Sequence, residues 1–89
     1  MKAIVTVVGR DRVGIVADVS VLLARHDVNI LDISQTIMGE YFTMMMLVDT
    51  SGFGGSFTDL ADALSDAGGT GGLSIRIQRE DIFKAISEV

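Results

Sequence analysis

The residues with the clearest potential for binding chemistry lie in the stretch Gly-Arg-Asp-Arg-Val-Gly at 9–14, where one apolar run ends and a differently spaced one begins. Arg10 and Arg12 stand just before a predicted helix, whose free backbone N–H groups and positive dipole end favour a small anion such as a carboxylate. The same residues also fit a solvated turn in which Asp11 or Arg12 caps the helix. The residue types leave both interpretations open, an anion-binding loop and a plain strand-to-helix turn.

The glycine spacing does not match the common nucleotide-binding loops. Gly9 and Gly14 have the spacing of the outer glycines in a G-x-x-x-x-G phosphate loop, but Ile15 and Val16 follow where that loop has Lys and Ser or Thr. The pattern G-x-G-x-x-G of dinucleotide-binding loops is absent as well. A phosphate loop of either kind is therefore not predicted here.

A catalytic or metal centre is not predicted either. Covalent catalysis needs a nucleophile beside a base, and the chain has one histidine, no cysteine and no serine with an evident partner. His26 falls at the end of the predicted first helix, where it fits a structural or capping role. Asp59, Asp62 and Asp66 recur at helical spacing and indicate the solvated face of a helix. We therefore expect a protein that is not an enzyme and uses no cofactor or metal.

Composition and charge limit the possible partners. The chain has 89 residues, no cysteine and a net charge of −5. A domain of this size has a thin core that no disulfide supplements, so we expect burial between subunits, in a homodimer or higher even oligomer. The acidic charge argues against nucleic acid and anionic membranes as partners. No apolar run is long enough to span a membrane and the first residues do not resemble a secretory signal, which favours the cytoplasm.

Hydrophobic periodicity predicts the elements that position the turn. Residues 1–8 are rich in β-branched side chains and apolar on both sides, as in a central strand. In residues 28–38 apolar and polar side chains alternate, with Leu31, Ile33 and Ile37 on the apolar side. This pattern is typical of an edge strand with one solvent-exposed face. Helices are predicted over 13–26, from Ser56 to the glycines at 68–72, and over 80–89, and further strands over 42–49 and 73–79.

The element order predicts the fold class. Strand, helix, strand, strand, helix, strand with right-handed crossovers forms an α+β, ferredoxin-like βαββαβ sandwich: a four-stranded antiparallel sheet with two helices on one face, plus a short C-terminal helix. The first and third strands are central in this topology and the second is an edge. Met45 and Leu47 then point to the face without helices. The closing helix, with Ile82, Phe83 and Ile86 turned inward, or another subunit should cover them.

A resemblance to a known family is carried by residues 7–49, which read VVGRDRVGIVADVSVLLARHDVNILDISQTIMGEYFTMMMLVD. They resemble the ACT domain, a small regulatory module that in many metabolic enzymes binds an amino acid at a subunit interface. The whole chain is similar to small stand-alone ACT proteins of prokaryotes, with DISQT at 32–36 and EYFTMM at 40–45. Its first half also resembles the N-terminal ACT module of formyltetrahydrofolate deformylase and the ACT repeats of the glycine-cleavage repressor. The resemblance implies a single ACT domain over 1–89.

The resemblance also implies where a ligand would bind. In ACT dimers that join edge strands, the loop between the first strand and the first helix faces the second strand of the partner subunit. In this chain the loop would contribute Arg10, Asp11, Arg12, Val13, Gly14 and Ile15, and the partner's strand would contribute Asn29, Ile30, Leu31 and Asp32. Arg10 or Arg12 with the helix amides would hold an α-carboxylate, and Asn29, Asp32 or Asp11 would receive the ammonium.

The chain departs from the family pattern in two places. Its loop reads DRVG where many ACT ligand loops have RPG, and the glycine-rich segments 51–56 and 68–72 are atypical. The expected function is regulatory binding of a small metabolite, an amino acid, across a homodimer interface. The alternative is a ligand-free dimerisation or adaptor module whose exposed edge and methionine face recruit a partner metabolic enzyme or regulator.

Overall fold

The computed structural model describes residues 1–87, which form four strands and three helices in the predicted order. They are β1 (Lys2–Arg10), α1 (Ile15–Arg25), β2 (Asn29–Met38), β3 (Tyr41–Asp49), α2 (Phe57–Thr70), β4 (Leu73–Arg79) and α3 (Glu80–Ser87). No helix among these residues is long and apolar enough to cross a membrane. The side chains of Phe83 and Ile86, predicted to turn inward, lie outside the described part of the chain.

The four strands form one antiparallel sheet in the order β2-β3-β1-β4. The prediction that β1 and β3 are central and that β2 is an edge is confirmed. β1 pairs with both neighbours along most of its length, so that Val5 lies between Met46 of β3 and Ile77 of β4. This is the ferredoxin-like arrangement that the element order predicts.

The hydrophobic core lies between one face of the sheet and the helices α1 and α2. Alternate residues of β1, β3 and β4 point into it, as a period of two requires. The main core side chains are Ala3, Val5 and Val7 of β1, Phe42, Met44, Met46 and Val48 of β3, Leu73, Ile75 and Ile77 of β4, and Ile15, Val19, Leu23, Leu60 and Leu64 of the helices. Because β1 is held on both sides, the start of the loop that follows it is fixed.

The opposite face of the sheet is partly open. Met45 and Leu47 lie on this face, as predicted, because they alternate with buried neighbours in β3. Met45 and Val8 are 37% and 43% exposed. The expectation that Ile82 turns inward is wrong: α3 follows β4 directly and packs against β1 and β4 with Ile82 exposed. Part of this apolar face therefore has no cover within the described chain.

α1 is shorter than the predicted range 13–26 at its start. Its N-cap is Gly14, with a left-handed backbone (φ +90°) and no capping side chain, so neither Asp11 nor Arg12 caps the helix. Glycine adopts this conformation without the steric cost that a Cβ brings. The sequence of the turn therefore reflects a backbone requirement at Gly14, and the charged residues before it are not used for capping.

The one histidine of the chain closes α1. His26 is the C-cap residue, and its Nδ1 lies 2.9 Å from the carbonyl oxygen of Leu22. Its ring also contacts Phe53, with ring centroids 5.9 Å apart. The predicted structural role of His26 is confirmed.

β2 departs most from its prediction. Leu31 stands at a β-bulge, where the pairing with β3 shifts between Ile30 and Asp32, so the predicted alternation of Leu31 with Ile33 is broken. Ile33 and Ile37 are on the core side of the sheet but remain 42% and 55% exposed. The side of β2 that was predicted to be buried is therefore uncovered in a single chain.

α2 begins as predicted. Ser56 Oγ accepts a 3.1 Å hydrogen bond from the N–H of Asp59, and the Asp59 carboxylate accepts one of 3.3 Å from the N–H of Ser56, which completes a capping box. Asp62 and Asp66 are exposed, as expected for a solvated helix face. Among residues 1–87, no three His, Cys, Asp or Glu side chains are grouped as they would be around a metal ion.

α2 ends within the glycine-rich segment 68–72, as predicted. Gly68 and Gly69 lie inside the helix, which continues to Thr70, and Gly71 is its C-cap. Gly68 is buried where α2 crosses β4, and a Cβ there would lie 2.8 Å from Ile75 Cγ1 and 2.9 Å from the carbonyl oxygen of Leu73. The glycine at 68 thus permits close helix-to-strand packing.

We expect Gly68→Ala to destabilise the fold by about 1–3 kcal/mol, the usual cost of overpacking a core. The neighbouring glycine is a matched control, because nothing lies within 4 Å of a Cβ at Gly69. Gly69→Ala should instead stabilise the helix by up to about 1 kcal/mol. Denaturant unfolding of the two variants measures the difference. If Gly68→Ala were as stable as Gly69→Ala, the close packing on β4 would be contradicted.

Candidate functional site

The predicted ligand loop is tied to the β2–β3 turn of its own chain. The N–H of Asp11 donates a 2.7 Å hydrogen bond to the carbonyl oxygen of Glu40, and the Arg10 guanidinium lies 3.4 Å from the Glu40 carboxylate. The two charged side chains are mostly exposed, so their ion pair contributes little stability. Backbone hydrogen bonding therefore positions the loop, and Arg10 stays accessible to a ligand.

Arg12 points in a different direction from Arg10. It pairs with Asp18 of α1 at 3.1 Å, and its Nη2 lies 3.5 Å from the carbonyl oxygen of Gly71, just after α2. These contacts direct the Arg12 guanidinium to the gap between α1 and α2, on the β4 side of the fold. The two arginines are equivalent by sequence, and the structure separates them.

The N-terminus of α1 opens at this loop. The carbonyl oxygen of Gly14 accepts the first hydrogen bond of the helix, from the N–H of Asp18 at 2.9 Å, so the N–H groups of residues 15–17 have no partner within the helix. A Cβ at Gly14 would meet no atom within 4 Å. Val13 is 99% exposed, whereas Ile15 is 2% exposed and belongs to the core. A ligand here would meet backbone amides and Val13 but not the Ile15 side chain.

The other predicted half of the site is the first part of β2. Asn29 is exposed at the end of the strand, opposite Asp49 of β3. The Asp32 carboxylate is exposed and accepts a 2.9 Å hydrogen bond from the next backbone N–H. Leu31 is exposed at the bulge, whereas Ile30 packs against the core. Asn29, Leu31 and Asp32 therefore present their side chains to solvent, and Ile30 is largely unavailable.

Asp49 adds a fixed negative charge beside Asn29. The hydroxyl of Ser51 donates a 2.6 Å hydrogen bond to the Asp49 carboxylate, and the N–H of Ser51 donates a second of 3.0 Å. These bonds to the charged form lower the pKa of Asp49 to about 2. The carboxylate is therefore ionised at neutral pH, and the N-terminal ammonium of Met1 already pairs with it at 3.4 Å.

Within one chain, the two halves of the predicted site lie at opposite ends of the sheet. The strand pairing runs from Asn29 through Asp49 to Lys2 at one end, and from Met38 through Tyr41 to Arg10 at the other. The eight residue steps from Lys2 to Arg10 along β1 span about 27 Å. A single protomer therefore does not bring the loop together with residues 29–32.

The surface beside the β2 edge is apolar. Ile33 and Ile37 are exposed on the helix side of β2, and Val13 and Val16 are exposed at the start of α1. Exposed large apolar side chains next to an unpaired strand edge are typical of an interface between subunits. The edge of β2 is therefore the candidate interface.

Glu40 and Asp49 lie beside the two half-sites but are not among the site residues predicted from the sequence. Glu40 could have been found from its charge. It lies in the turn between β2 and β3, beside the end of β1 where Arg10 stands. Asp49 carried a weaker signal, the Asp-Thr-Ser order in which an aspartate bonds a backbone N–H two residues on. The contacts of Asp49 with Ser51 are local, whereas the position of Glu40 beside Arg10 is set by the register of β1 and β3.

Comparisons with known proteins identify the family and the fold. Residues 2–78 match the ACT domain family. A UPF0237 protein of Clostridium acetobutylicum is 54% identical over 89 residues, which covers all of both chains. The solved structure of an ACT domain protein from Streptococcus pneumoniae is 48% identical, covers 93% of each chain and has a TM-score of 0.83.

Two other solved structures carry the same fold within longer chains. A formyltetrahydrofolate deformylase from Pseudomonas syringae is 25% identical over 88% of this chain and 27% of its own, with a TM-score of 0.77. A protein described as a glycine cleavage system transcriptional repressor is 28% identical over 86% of this chain and 44% of its own, with a TM-score of 0.71. ACT domains are in general regulatory modules that bind small molecules. With its sheet order, its loop before α1 and relatives that match it from end to end, this chain belongs to the ACT domain family.

Proposed function

We propose that the protein is a non-enzymatic regulatory module, a single ACT domain over residues 1–89, that binds an amino acid across a homodimer interface in the cytoplasm. The observation that carries this proposal is the separation of the two half-sites beside an uncovered β2 edge. A two-fold axis perpendicular to the sheet at the middle of β2 pairs the strand with its own copy in antiparallel fashion. The Asn29 end of one β2 then lies beside the Met38 end of the other, next to the loop at 10–14.

The same pairing would bury the apolar surface that one chain leaves uncovered. Ile33 and Ile37 of both copies would meet near the two-fold axis, close to Val16 of α1. The unpaired backbone N–H and C=O groups of the two β2 edges would hydrogen-bond to each other, as in other cases of strand addition. Both effects supplement a core that is thin for a folded domain.

The ligand chemistry follows from the two half-sites. The amides of the first turn of α1, with Arg10, offer a place for an α-carboxylate. The exposed carbonyl and carboxylate groups of Asn29 and Asp32 from the partner subunit would receive the ammonium, with Asp11 as a further acceptor. Because Arg12 is engaged by Asp18 and Gly71, we assign the carboxylate to Arg10 alone.

A non-enzymatic role is supported by how the reactive side chains are used. His26 is engaged as a helix cap, and Asp59 is engaged in the capping box of α2. The net charge of −5 supports a small-molecule ligand and a second copy of the chain as partners, and it disfavours nucleic acid and anionic membranes.

Thermal-shift screening against the twenty amino acids and folate-pathway metabolites tests the proposal. A ligand at about 100 times its dissociation constant should add about 2.7 kcal/mol to the stability. Calorimetric titration of Arg10→Ala and Asn29→Ala with the selected ligand should then show losses of roughly 1.5–3 kcal/mol, or about tenfold to a hundredfold in affinity. Arg76→Ala is the matched control, because Arg76 is exposed on β4, away from this edge. Equal affinities across all these proteins would remove the ligand from this interface.

One observation favours the adaptor alternative, namely the exposed apolar residues Val8 and Met45 on the open face of the sheet. An apolar patch of this kind is typical of a surface that contacts another protein. A dimer with no hit in the ligand screen would favour this second function. Affinity capture with the wild-type chain and with Met45→Lys would then identify a partner that depends on the open face.

A further inference from the structure

A cleft of about 360 Å³ opens between α1, α2 and β4, away from the β2 edge. Its volume is at the lower end of the range for small-molecule pockets. Leu22 of α1 and the core residues Leu73 and Ile75 of β4 supply apolar surface inside it. Gly68 of α2 contributes no side chain, and its backbone packs closely on Ile75 and Leu73 at the bottom of the cleft. The interior of the cleft is thus suited to an aliphatic group.

The charged groups at the rim of the cleft are Arg12, Asp18 and Arg25. Arg12 and Asp18 neutralise each other at 3.1 Å, and Arg12 also lies against the carbonyl oxygen of Gly71 at 3.5 Å. Arg25 forms no ion pair or side-chain hydrogen bond with any of residues 1–87. Helical side chains lean toward the N-terminus of their helix, so Arg25 leans over the turn that carries Leu22. The cleft therefore has one uncompensated positive charge beside an apolar interior.

We propose that this cleft binds a small monocarboxylate with a short branched aliphatic body, whose carboxylate is held by Arg25. The aliphatic body would lie on Leu22, Leu73 and Ile75. An amino acid fits this cleft less well, because its ammonium would enter a site of net positive charge in which Asp18 is already paired with Arg12. The cleft thus selects against the zwitterion for which the subunit interface is proposed.

The two sites are independent in position. Every residue that lines the cleft belongs to one protomer, and none is Arg10 or one of residues 29–32. Binding in the cleft therefore needs no second subunit. A failure of one proposal leaves the other in place, and experiments on a monomeric variant separate them.

The test is an NMR titration of the full-length chain with isocaproate, its α-keto analogue and leucine, read out on the backbone amides. We expect saturable binding of isocaproate, with shifts centred on Leu22, Gly68, Thr70 and Gly71. Arg25→Ala should weaken this binding at least tenfold, the effect of losing a charge-assisted hydrogen bond. Arg76→Ala removes an exposed arginine from a surface that does not line the cleft and should leave the affinity unchanged.

Several outcomes would overturn the assignment. They are isocaproate shifts centred on residues 10–15 and 29–32, an Arg25→Ala variant that binds as tightly as wild type, and leucine binding in the cleft more tightly than isocaproate. The α-keto analogue should bind in the same place as isocaproate because it keeps the carboxylate and the branched body and lacks the ammonium. Binding of isocaproate that persists in a monomeric variant supports the cleft, and its loss there would place the site at the interface instead.

Discussion

Replacing Ile33 with lysine is expected to turn the proposed dimer into a monomer at micromolar concentration. In the proposed interface Ile33 lies near the two-fold axis, so each dimer would receive two ammonium groups close together in an apolar surface. Burying an unpaired charge costs several kcal/mol, and symmetry applies the cost twice. We expect the dissociation constant of the dimer to rise at least ~100-fold. Light scattering or sedimentation measures the change directly.

The matched control for this experiment is Val21→Lys. Val21 is also a half-exposed aliphatic residue, but it lines the cleft between α1 and α2 and does not face the β2 edge. Both substitutions replace exposed apolar surface with a lysine, so both proteins should keep a folded core, which circular dichroism checks. A wild-type chain that is monomeric at high micromolar concentration, or an Ile33→Lys variant that stays dimeric, would contradict the edge interface.

The same variant tests whether the ligand site is shared between subunits. Because residues 29–32 lie about 20–27 Å from Arg10 along the sheet of one chain, a monomer holds only half of the proposed amino-acid site. Ile33→Lys should therefore lose amino-acid binding together with dimerisation. Retained amino-acid affinity in a monomer would place that ligand elsewhere in the chain.

Local patterns were sufficient to predict most of the fold. The alternation in β3 and β4 was predicted correctly because each strand has one face on the core. The capping box of Ser56 and Asp59 was recognisable because both partners of the motif lie three residues apart. These features depend on neighbours in the sequence, and the sequence contains all the information that defines them.

Features that depend on tertiary packing were predicted poorly. Gly68 and Gly69 have the residue type of a helix end, but both lie inside α2. A glycine is needed at position 68 because α2 packs too closely on Ile75 for a Cβ to fit. The bulge at Leu31 results from the pairing of β2 with β3, and no residue type in β2 predicts it. The contacts of Arg12 depend on Gly71, which is 59 residues away in the chain. For the candidate site, the resemblance to ACT domains indicated the loop before α1 and the start of β2. Only the register of the sheet shows that these two half-sites lie at opposite ends of one chain.

Replacing Gly14 with asparagine is expected to remove the proposed amino-acid binding with little loss of stability. The φ of +90° at Gly14 means that Gly14→Val is strained whether or not a ligand binds there, so a valine variant cannot separate a turn requirement from a ligand contact. Asparagine tolerates positive φ better than other side chains do. Its side chain would extend into the open space at the N-terminus of α1, where the proposed carboxylate meets the helix amides. We expect an affinity loss of at least ~100-fold, since both the space and the amides are obstructed.

Gly72→Asn provides the control for backbone strain. Gly72 has a φ of +76° and, like Gly14, no atom within 4 Å of a Cβ, but it lies in the turn between α2 and β4, away from the proposed dimer interface. Thermal unfolding of the two variants should give similar small losses of stability, because both place asparagine at a positive φ. Calorimetric titration should then separate them, with normal affinity in Gly72→Asn and none detectable in Gly14→Asn. Equal affinities in the two variants would mean that Gly14 only eases the turn into α1, and the helix N-terminus would then have no part in binding the ligand.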